Sequence, residues 1–202
     1  HNKQSLRVVD MIEKNGQGLN LTWEVRDGIL NHRTSCKPST MEGLVVRLSD
    51  KIAYTNHDID DAIRAGVIKD IPEEFKEVIG DTSSSRINAM IRDTISNSEG
   101  IRDIKMSDDM RDTLSGLRQF MFKTVYLSDH ALKEKEKVKT MISHLYYYYL
   151  EHPEQMESEF MHLIKNGEHK DTVVCDYIAC MTDRFSIATF KKLFIPSSWN
   201  IY

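Results

Sequence analysis

Several features that often reveal a protein's class are scarce or missing in this sequence of 202 residues. Its three cysteines, Cys36, Cys175 and Cys180, match no zinc-binding spacing and suit a reducing compartment better than a disulfide framework. We therefore expect buried or inert thiols. No apolar run approaches the length of a membrane span, and the net charge of −4 gives no overall basic surface for nucleic acid.

Strand-like alternation, a glycine-rich phosphate loop, a Ser-His-Asp order and internal repeats are also missing. Helical periodicity runs through the chain instead, and 40% hydrophobic with 29% charged residues is typical of a globular protein. The sequence thus predicts an all-α fold. The expected helical segments are 1–14, 19–32, 41–66, 71–79, 86–98, 107–125, 127–149, 156–165 and 171–193.

Apolar residues at helical spacing predict the core faces. In 107–125 that stripe is Met110, Leu114, Leu117 and Met121. Tyr146–Tyr149 are expected to pack against neighbouring helices, Trp23 to be a core or interface aromatic, and 194–199 to form a short packed tail. Further expected core residues include Ile87, Ile91 and Ile95, and, in 41–66, Leu44, Val45, Leu48, Ile52, Ile59, Ala62 and Ile63.

The opposite face of segment 41–66 carries the most informative polar pattern. Asp50, Tyr54 and Asp58 are spaced i, i+4 and i+8, so their side chains share one stripe of the helix. Two carboxylates and a phenol on one line can bind a metal ion and a polar ligand together. A solvated surface face shows the same pattern and is the commoner case, so the spacing alone leaves both interpretations open.

Three stretches resemble motifs of one enzyme family, in that family's order: HNKQSLRVVD (1–10), RLSDKIAYTNHDIDDAIRAG (47–66) and VCDYIACMTDRF (174–185). The family is that of the HD-domain deoxynucleoside triphosphate triphosphohydrolases, in its bacterial dGTPase-like branch. Cys180 stands where the family motif has glycine. The resemblance implies a multi-helix HD-domain-like bundle in which residues 1–70 form the C-terminal part of the catalytic core. Residues 71–202 would be a helical region packed on that core.

The resemblance also implies roles for individual residues. His1 falls on the histidine beside the reacting phosphate, which can donate a hydrogen bond or handle a proton near neutral pH. Asp50 falls on the last metal ligand, with Mg²⁺ or Mn²⁺ expected first and Zn²⁺, Fe²⁺ or Ni²⁺ as alternatives. The implied substrate-binding residues are Lys51, Tyr54, Asp58 and Tyr177.

The implied reaction cleaves a deoxynucleoside triphosphate, dGTP first, into deoxynucleoside and tripolyphosphate through a metal-activated water. In the family the remaining metal ligands come from a segment upstream of HNKQSLRVVD, so we expect these 202 residues alone to be weakly active or inactive. A cytoplasmic homo-oligomer without a membrane partner is expected. The alternative is a non-catalytic helical module for oligomerisation or for binding nucleotides or single-stranded nucleic acid.

Overall fold

A computed structural model describes residues 1–197, and every regular element in that range is helical. The predicted all-α fold is confirmed. Trp199 of the predicted packed tail lies outside the described residues. The α-helices are α1 (Asn2–Arg7), α2 (Glu13–Gly16), α3 (Trp23–Asn31), α4 (Met41–Arg64), α5 (Glu73–Ile79), α6 (Ser83–Ser98), α7 (Asp108–Met121), α8 (Asp129–Glu151), α9 (Ser158–Lys165), α10 (Lys170–Ala179) and α11 (Asp183–Phe194).

Three shorter segments complete the described helical structure. Val8–Ile12 and Phe122–Tyr126 are π-helical turns, and Pro153–Gln155 is a 3₁₀ turn. Within residues 1–197 no helix combines the length and the apolarity that a bilayer span requires.

The chain divides into two compact units. Among the described residues, the first unit comprises His1, 3–21 and 133–197, and the second comprises Asn2 and 22–132. The predicted boundary after residue 70 refers to the catalytic core of a longer protein, and it stays a prediction.

The core of the second unit lies among α4, α5, α6 and α7. The predicted stripe of α7 is confirmed, because all four of its members are buried. On α4, Ile52, Ile59 and Ala62 are buried as expected, while Leu48 and Ile63 are partly buried against the same cluster. This packing fixes which face of α4 is turned away from the core.

Three expected core residues of the second unit are instead exposed: Val45, Ile91 and Ile95. On α6 the inward positions belong to Arg86 and Met90, which are 1% and 0% exposed. Ile91 and Ile95 lie about 100° and about 140° round the helix from Met90, so they face outwards. With Val45 they line an open apolar groove of about 550 Å³.

The core of the first unit is rich in aromatic residues. Tyr149, Phe160 and Tyr177 are buried together, and the Tyr177 ring lies edge-on to both of the others at 4.9 and 5.0 Å between centroids. Of the four successive tyrosines, Tyr149 is buried and Tyr147 is 63% exposed. Consecutive helical residues point in different directions, so the run packs only in part, as its geometry requires.

Two further expectations named burial as one alternative, and the structure contradicts that alternative. Trp23 is 60% exposed at the first position of α3, so it is not a core residue, and its place in an interface stays a prediction. Cys175 and Cys180 are exposed and Cys36 is half-buried, and all three thiols are free. The inertness of the thiols is a separate expectation that burial does not decide.

The ends of α4 match the sequence signals. The Thr40 hydroxyl accepts a hydrogen bond from the Gly43 N–H at 3.0 Å, which caps the first turn. Gly66 follows the helix with φ of +70°, a conformation that favours glycine. α4 is therefore a single helix of 24 residues, long enough to carry Asp50, Tyr54 and Asp58 on consecutive turns.

Candidate functional site

Asp50 and its neighbours occupy the middle of α4, in the second unit. The Asp50 side chain is exposed and makes no hydrogen bond or ion pair with any residue in 1–197. Tyr54 and Asp58, one and two turns further along, are half-buried. The stripe therefore passes from an accessible carboxylate into a more enclosed polar environment.

The enclosed end of the stripe contacts the π-helical turn after α7. There the Tyr126 hydroxyl donates a hydrogen bond to Asp58 Oδ2. The Leu127 N–H bonds to the Phe122 carbonyl five residues back, which is the wider turn of a π-helix. Partial burial, followed by the bond to Asp58, raises the pKa of Tyr126 above its ordinary value. The phenol therefore stays protonated, and able to donate to Asp58, up to a higher pH than an ordinary tyrosine does.

Arg118 lies on α7 and reaches the same stripe from the side. Its guanidinium carbon lies 5.7 Å from the centroid of the Tyr54 ring, within the range of a cation–π contact. Tyr54 and Asp58 on α4 are thus each matched by a residue from 118–126. Nothing in the sequence spacing indicated Arg118 or Tyr126, because the contacts depend on how α7 and its π turn pack beside α4.

A groove of about 320 Å³ runs between α4 and α7 next to these contacts. Within the described part of the chain no acidic residue lines it. Its cationic lining residues are Arg47, Lys51, Lys105, Arg111 and Arg118. A concave surface lined by one sign of charge attracts ligands of the opposite sign.

Two of the five cations are already engaged. Arg47 donates to the backbone carbonyls of Arg33 and Thr34, and Arg111 pairs with Asp108 at 2.9 Å. Lys51, Lys105 and Arg118 form no ion pair with any carboxylate in residues 1–197. The groove therefore presents three cationic groups that no carboxylate of residues 1–197 pairs with directly.

The electrostatics of Lys51 reflect this concentration of positive charge. Burial lowers the pKa of its ammonium below the ordinary lysine value, and Arg47 and Arg118 lower it further, while Asp50 acts in the opposite direction. A bound anion would relieve the repulsion among these cations. An anion with several negative charges would relieve it most.

A metal site is not complete within this part of the chain. No group of three or more His, Cys, Asp or Glu side chains placed to hold a metal occurs in residues 1–197. Divalent cations such as Mg²⁺ take about six oxygen ligands, and Asp50 supplies only one carboxylate. The residues present therefore do not by themselves fit a catalytic metal.

The chain is similar to known phosphohydrolase-like proteins. Residues 104–192, which include α7 and Arg118, match the family model described as "Phosphohydrolase-associated domain". A "Deoxyguanosinetriphosphate triphosphohydrolase-like protein" from Caldanaerobacter subterraneus subsp. tengcongensis is 46% identical over 201 residues, covering 98% of this chain and 59% of the relative. Proteins of the same name from Clostridium perfringens strain 13 and Desulfatibacillum aliphaticivorans are 40% and 41% identical, covering 60% and 62% of those relatives.

The chain resembles dGTPase-like proteins over nearly its whole length. It spans about three-fifths of the length of the curated relatives it matches, and it resembles a C-terminal portion of them. The resemblance seen in the three short motifs is thus confirmed over 97–98% of the chain in these dGTPase-like relatives.

The other two predicted site residues, His1 and Tyr177, lie in the first unit. His1 is exposed and immediately precedes α1. Tyr177 is 6% exposed and packed among aromatic rings. Its predicted contact with a nucleotide stays a prediction, as does the catalytic role of His1.

A buried ionic network in the first unit connects the two motifs that hold His1 and Tyr177. Asp176, whose side chain is 1% exposed, accepts a hydrogen bond from Gln4 at 2.7 Å and from Arg7 Nε at 2.8 and 3.0 Å to its two oxygens. Arg7 also pairs with Glu168 at 2.6 Å. These bonds tie α1 to α10 across 169 residues of sequence, and no spacing rule could have paired them.

Proposed function

We propose that this chain is the C-terminal portion of a deoxynucleoside triphosphate triphosphohydrolase, with dGTP as the first candidate substrate. The supporting observation is the groove between α4 and α7, where Lys51, Lys105 and Arg118 lack carboxylate partners among residues 1–197. The names of the relatives support the choice of a triphosphate, and the groove offers the charge that a triphosphate needs.

The cations of the groove differ in the way they bind phosphate. Arg118 presents a planar guanidinium that can donate two parallel hydrogen bonds to one phosphate group, and Lys51 acts as a compact point charge. The contact of Arg118 with the Tyr54 ring holds the guanidinium beside the stripe. In the proposed complex both residues contact the triphosphate, and Lys105 adds charge at the edge of the groove.

Polar groups at the other end of the stripe suit the deoxynucleoside. Asp58 uses Oδ2 to accept from Tyr126, so its second oxygen can accept a hydrogen bond from a sugar hydroxyl or a base. Tyr54 offers both a ring face and a hydroxyl. We propose that Tyr54, Asp58 and Tyr126 orient the nucleoside while the basic groove holds the phosphates.

The proposed reaction also needs a divalent metal, with Mg²⁺ or Mn²⁺ expected before Zn²⁺, Fe²⁺ or Ni²⁺. Asp50 would provide one ligand, and the others would come from a further segment of the longer protein or from another chain. When bound, the metal would lower the pKa of a water molecule and stabilise charge on the phosphoryl oxygens. Within this chain, Asp50 supplies a carboxylate, the groove binds phosphate, and His1 is the candidate for proton handling.

Release of tripolyphosphate from dGTP, with Mn²⁺ or Mg²⁺, tests the proposal. The 202-residue chain is compared with a longer form that adds the family's upstream segment. We expect hydrolysis only by the longer form, and its loss in Asp50→Ala. Asp61→Ala, an exposed carboxylate on the same helix, is the matched control and should remain active. Full activity of Asp50→Ala in the longer form would contradict the proposed role of Asp50.

The second candidate function is a non-catalytic module that binds nucleotides or single-stranded nucleic acid, alone or as a homo-oligomer. The incomplete set of metal ligands in residues 1–197 favours it. Under this function the chain would bind dGTP or an oligonucleotide, while the longer form would release no tripolyphosphate from any deoxynucleotide. Light scattering during gel filtration gives the oligomeric state in either case.

A further inference from the structure

One buried charge in the second unit has no part in the proposed contacts with substrate. Arg86, on α6, is 1% exposed, and its guanidinium donates three hydrogen bonds. Nε bonds to Asn56 Oδ1 at 2.9 Å, one terminal nitrogen bonds to the Asp81 carbonyl at 3.0 Å, and the other bonds to Asp60 Oδ1 at 2.6 Å. Two of these three acceptors are side chains of α4.

The acceptors on α4 lie on the side opposite the polar stripe. At 100° per residue, Asn56 and Asp60 lie about 160° and about 120° round the helix from Tyr54, the middle of the stripe formed by Asp50, Tyr54 and Asp58. Asn56 is fully buried, and its side-chain nitrogen also bonds to the Ile52 carbonyl at 2.8 Å. Arg86 of α6 therefore binds one face of α4, and the candidate site lies on another face of the same helix.

We propose that Arg86 is a positioning residue that fixes the rotation of α4 about its axis, so that Asp58 meets Tyr126 and the stripe borders the basic groove. Arg86 touches no proposed substrate position. Its consequence for substrate binding rests on the proposed function, whereas its effect on the geometry of α4 does not.

The chemistry of arginine suits this task better than that of a hydrophobic residue. A buried apolar side chain constrains a helix through its shape, because the hydrophobic effect has no preferred direction. The planar guanidinium instead holds acceptors one turn apart, Asn56 and Asp60, in fixed directions. If α4 rotated, a fully buried guanidinium would lose its partners, which is strongly unfavourable.

The Tyr126–Asp58 hydrogen bond depends on the rotation of α4 about its axis. It can therefore be used to follow that rotation without any ligand. The groups that face the phenol are Asp58, Tyr54 and Arg118, and Asp58 contributes directly through the bond. In the parent chain, nuclear magnetic resonance of isotope-labelled tyrosine should show Tyr126 titrating above the ordinary tyrosine pKa. In Arg86→Gln and in Asp60→Asn, the pKa of Tyr126 should fall toward the ordinary value of about 10.

A neighbouring ion pair provides the matched control. Asp61 and Arg64 pair at 2.8 Å on the exposed side of the same helix, with side chains 69% and 77% exposed. Asp61→Asn removes the same charge one residue away from Asp60 and should leave the titration of Tyr126 unchanged. Arg86→Lys should restore the raised pKa of Tyr126 only in part. An ammonium can pair with Asp60 but lacks the planar guanidinium that also donates to Asn56.

The outcomes separate this inference from the proposed function. If folded Arg86→Gln and Asp60→Asn leave the Tyr126 titration as in the parent chain, Arg86 does not set the rotation of α4 and the inference is overturned. If Arg86→Gln does not fold, the inference is decided by the pKa of Tyr126 in Asp60→Asn compared with that in Asp61→Asn. A fall in the Tyr126 pKa supports the inference even if the chain binds no triphosphate.

Discussion

Two aspartates, each in a different family-like motif of this chain, have opposite surroundings. In the first unit, Asp176 of VCDYIACMTDRF is buried and accepts hydrogen bonds from Gln4 and Arg7. In the second unit, Asp50 of RLSDKIAYTNHDIDDAIRAG is exposed and has no partner in residues 1–197. Asp176 in the motif of α10 is thus satisfied internally, while Asp50 in the motif of α4 is available to a ligand.

The same contrast applies to the cations and tyrosines. Arg7 is paired twice, whereas Lys51 and Arg118 line a groove without carboxylate partners in the described residues. Tyr177 is enclosed by aromatic rings, whereas Tyr54 faces Arg118 beside the groove. Resemblance to a family motif therefore does not separate residues that hold the fold from residues that contact a ligand. Burial and hydrogen-bond partners do.

The largest expected effects come from the cores, where the two units should behave alike. Leu117 in the second unit and Leu145 in the first are both 0% exposed. Replacing either with alanine should lower the free energy of unfolding by about 3–5 kcal/mol, because each leaves a cavity. Urea unfolding measures the loss, and Ile95→Ala, at a residue 63% exposed, should change it by no more than about 0.5 kcal/mol.

The next effect tests the buried carboxylate of the first unit. Asp176→Ala should lower the free energy of unfolding by about 3 kcal/mol, because it leaves Arg7 and Gln4 without their buried acceptor. Glu168→Ala removes the more exposed partner of Arg7 and should cost less. Equal losses in the two variants would show that burial does not distinguish the two carboxylates.

A smaller effect is expected on ligand binding by the groove of the second unit. Arg118→Ala should weaken the binding of tripolyphosphate about tenfold, which is about 1.4 kcal/mol, because a charged hydrogen bond to phosphate is lost. Arg111→Ala should weaken it less, since Arg111 already pairs with Asp108. Isothermal titration calorimetry measures both affinities. A larger loss of affinity in Arg111→Ala than in Arg118→Ala would contradict the view that cations without a carboxylate partner bind the phosphate.

The smallest effect concerns an exposed carboxylate that does have partners. Lys76 donates to Asp70 at 2.6 Å and the Ile71 N–H donates at 2.8 Å, and the two bonds, in that order, lower the pKa of Asp70. A depressed carboxyl pKa contributes stability that is present above the unfolded value, about 3.9, and is lost as the pH falls through the folded value. Asp70→Asn should therefore flatten the loss of stability below about pH 4. Unfolding by urea between about pH 6 and pH 3 checks this, and an unchanged acid dependence would contradict it.

The sequence predicted the fold class and most helices because apolar periodicity and capping residues are local signals. The α7 stripe and the limits of α4 are examples. It misplaced Ile91 and Ile95 because a buried arginine, Arg86, occupies the inward side of α6, and periodicity assigns that side to apolar residues. It could not find Arg118, Tyr126 or the partners of Asp176, since these contacts depend on tertiary packing.

The most direct test of the account is calorimetric titration of tripolyphosphate into the metal-free 202-residue chain at low salt. We expect saturable binding that weakens as salt is added and is lost in the Lys51→Ala/Arg118→Ala double variant. The same pair of substitutions at exposed cations of α8, Lys133→Ala/Lys135→Ala, should leave the affinity unchanged. Binding that survives the double variant, or that falls equally in the α8 control, would contradict the assignment of the phosphate site to the groove between α4 and α7.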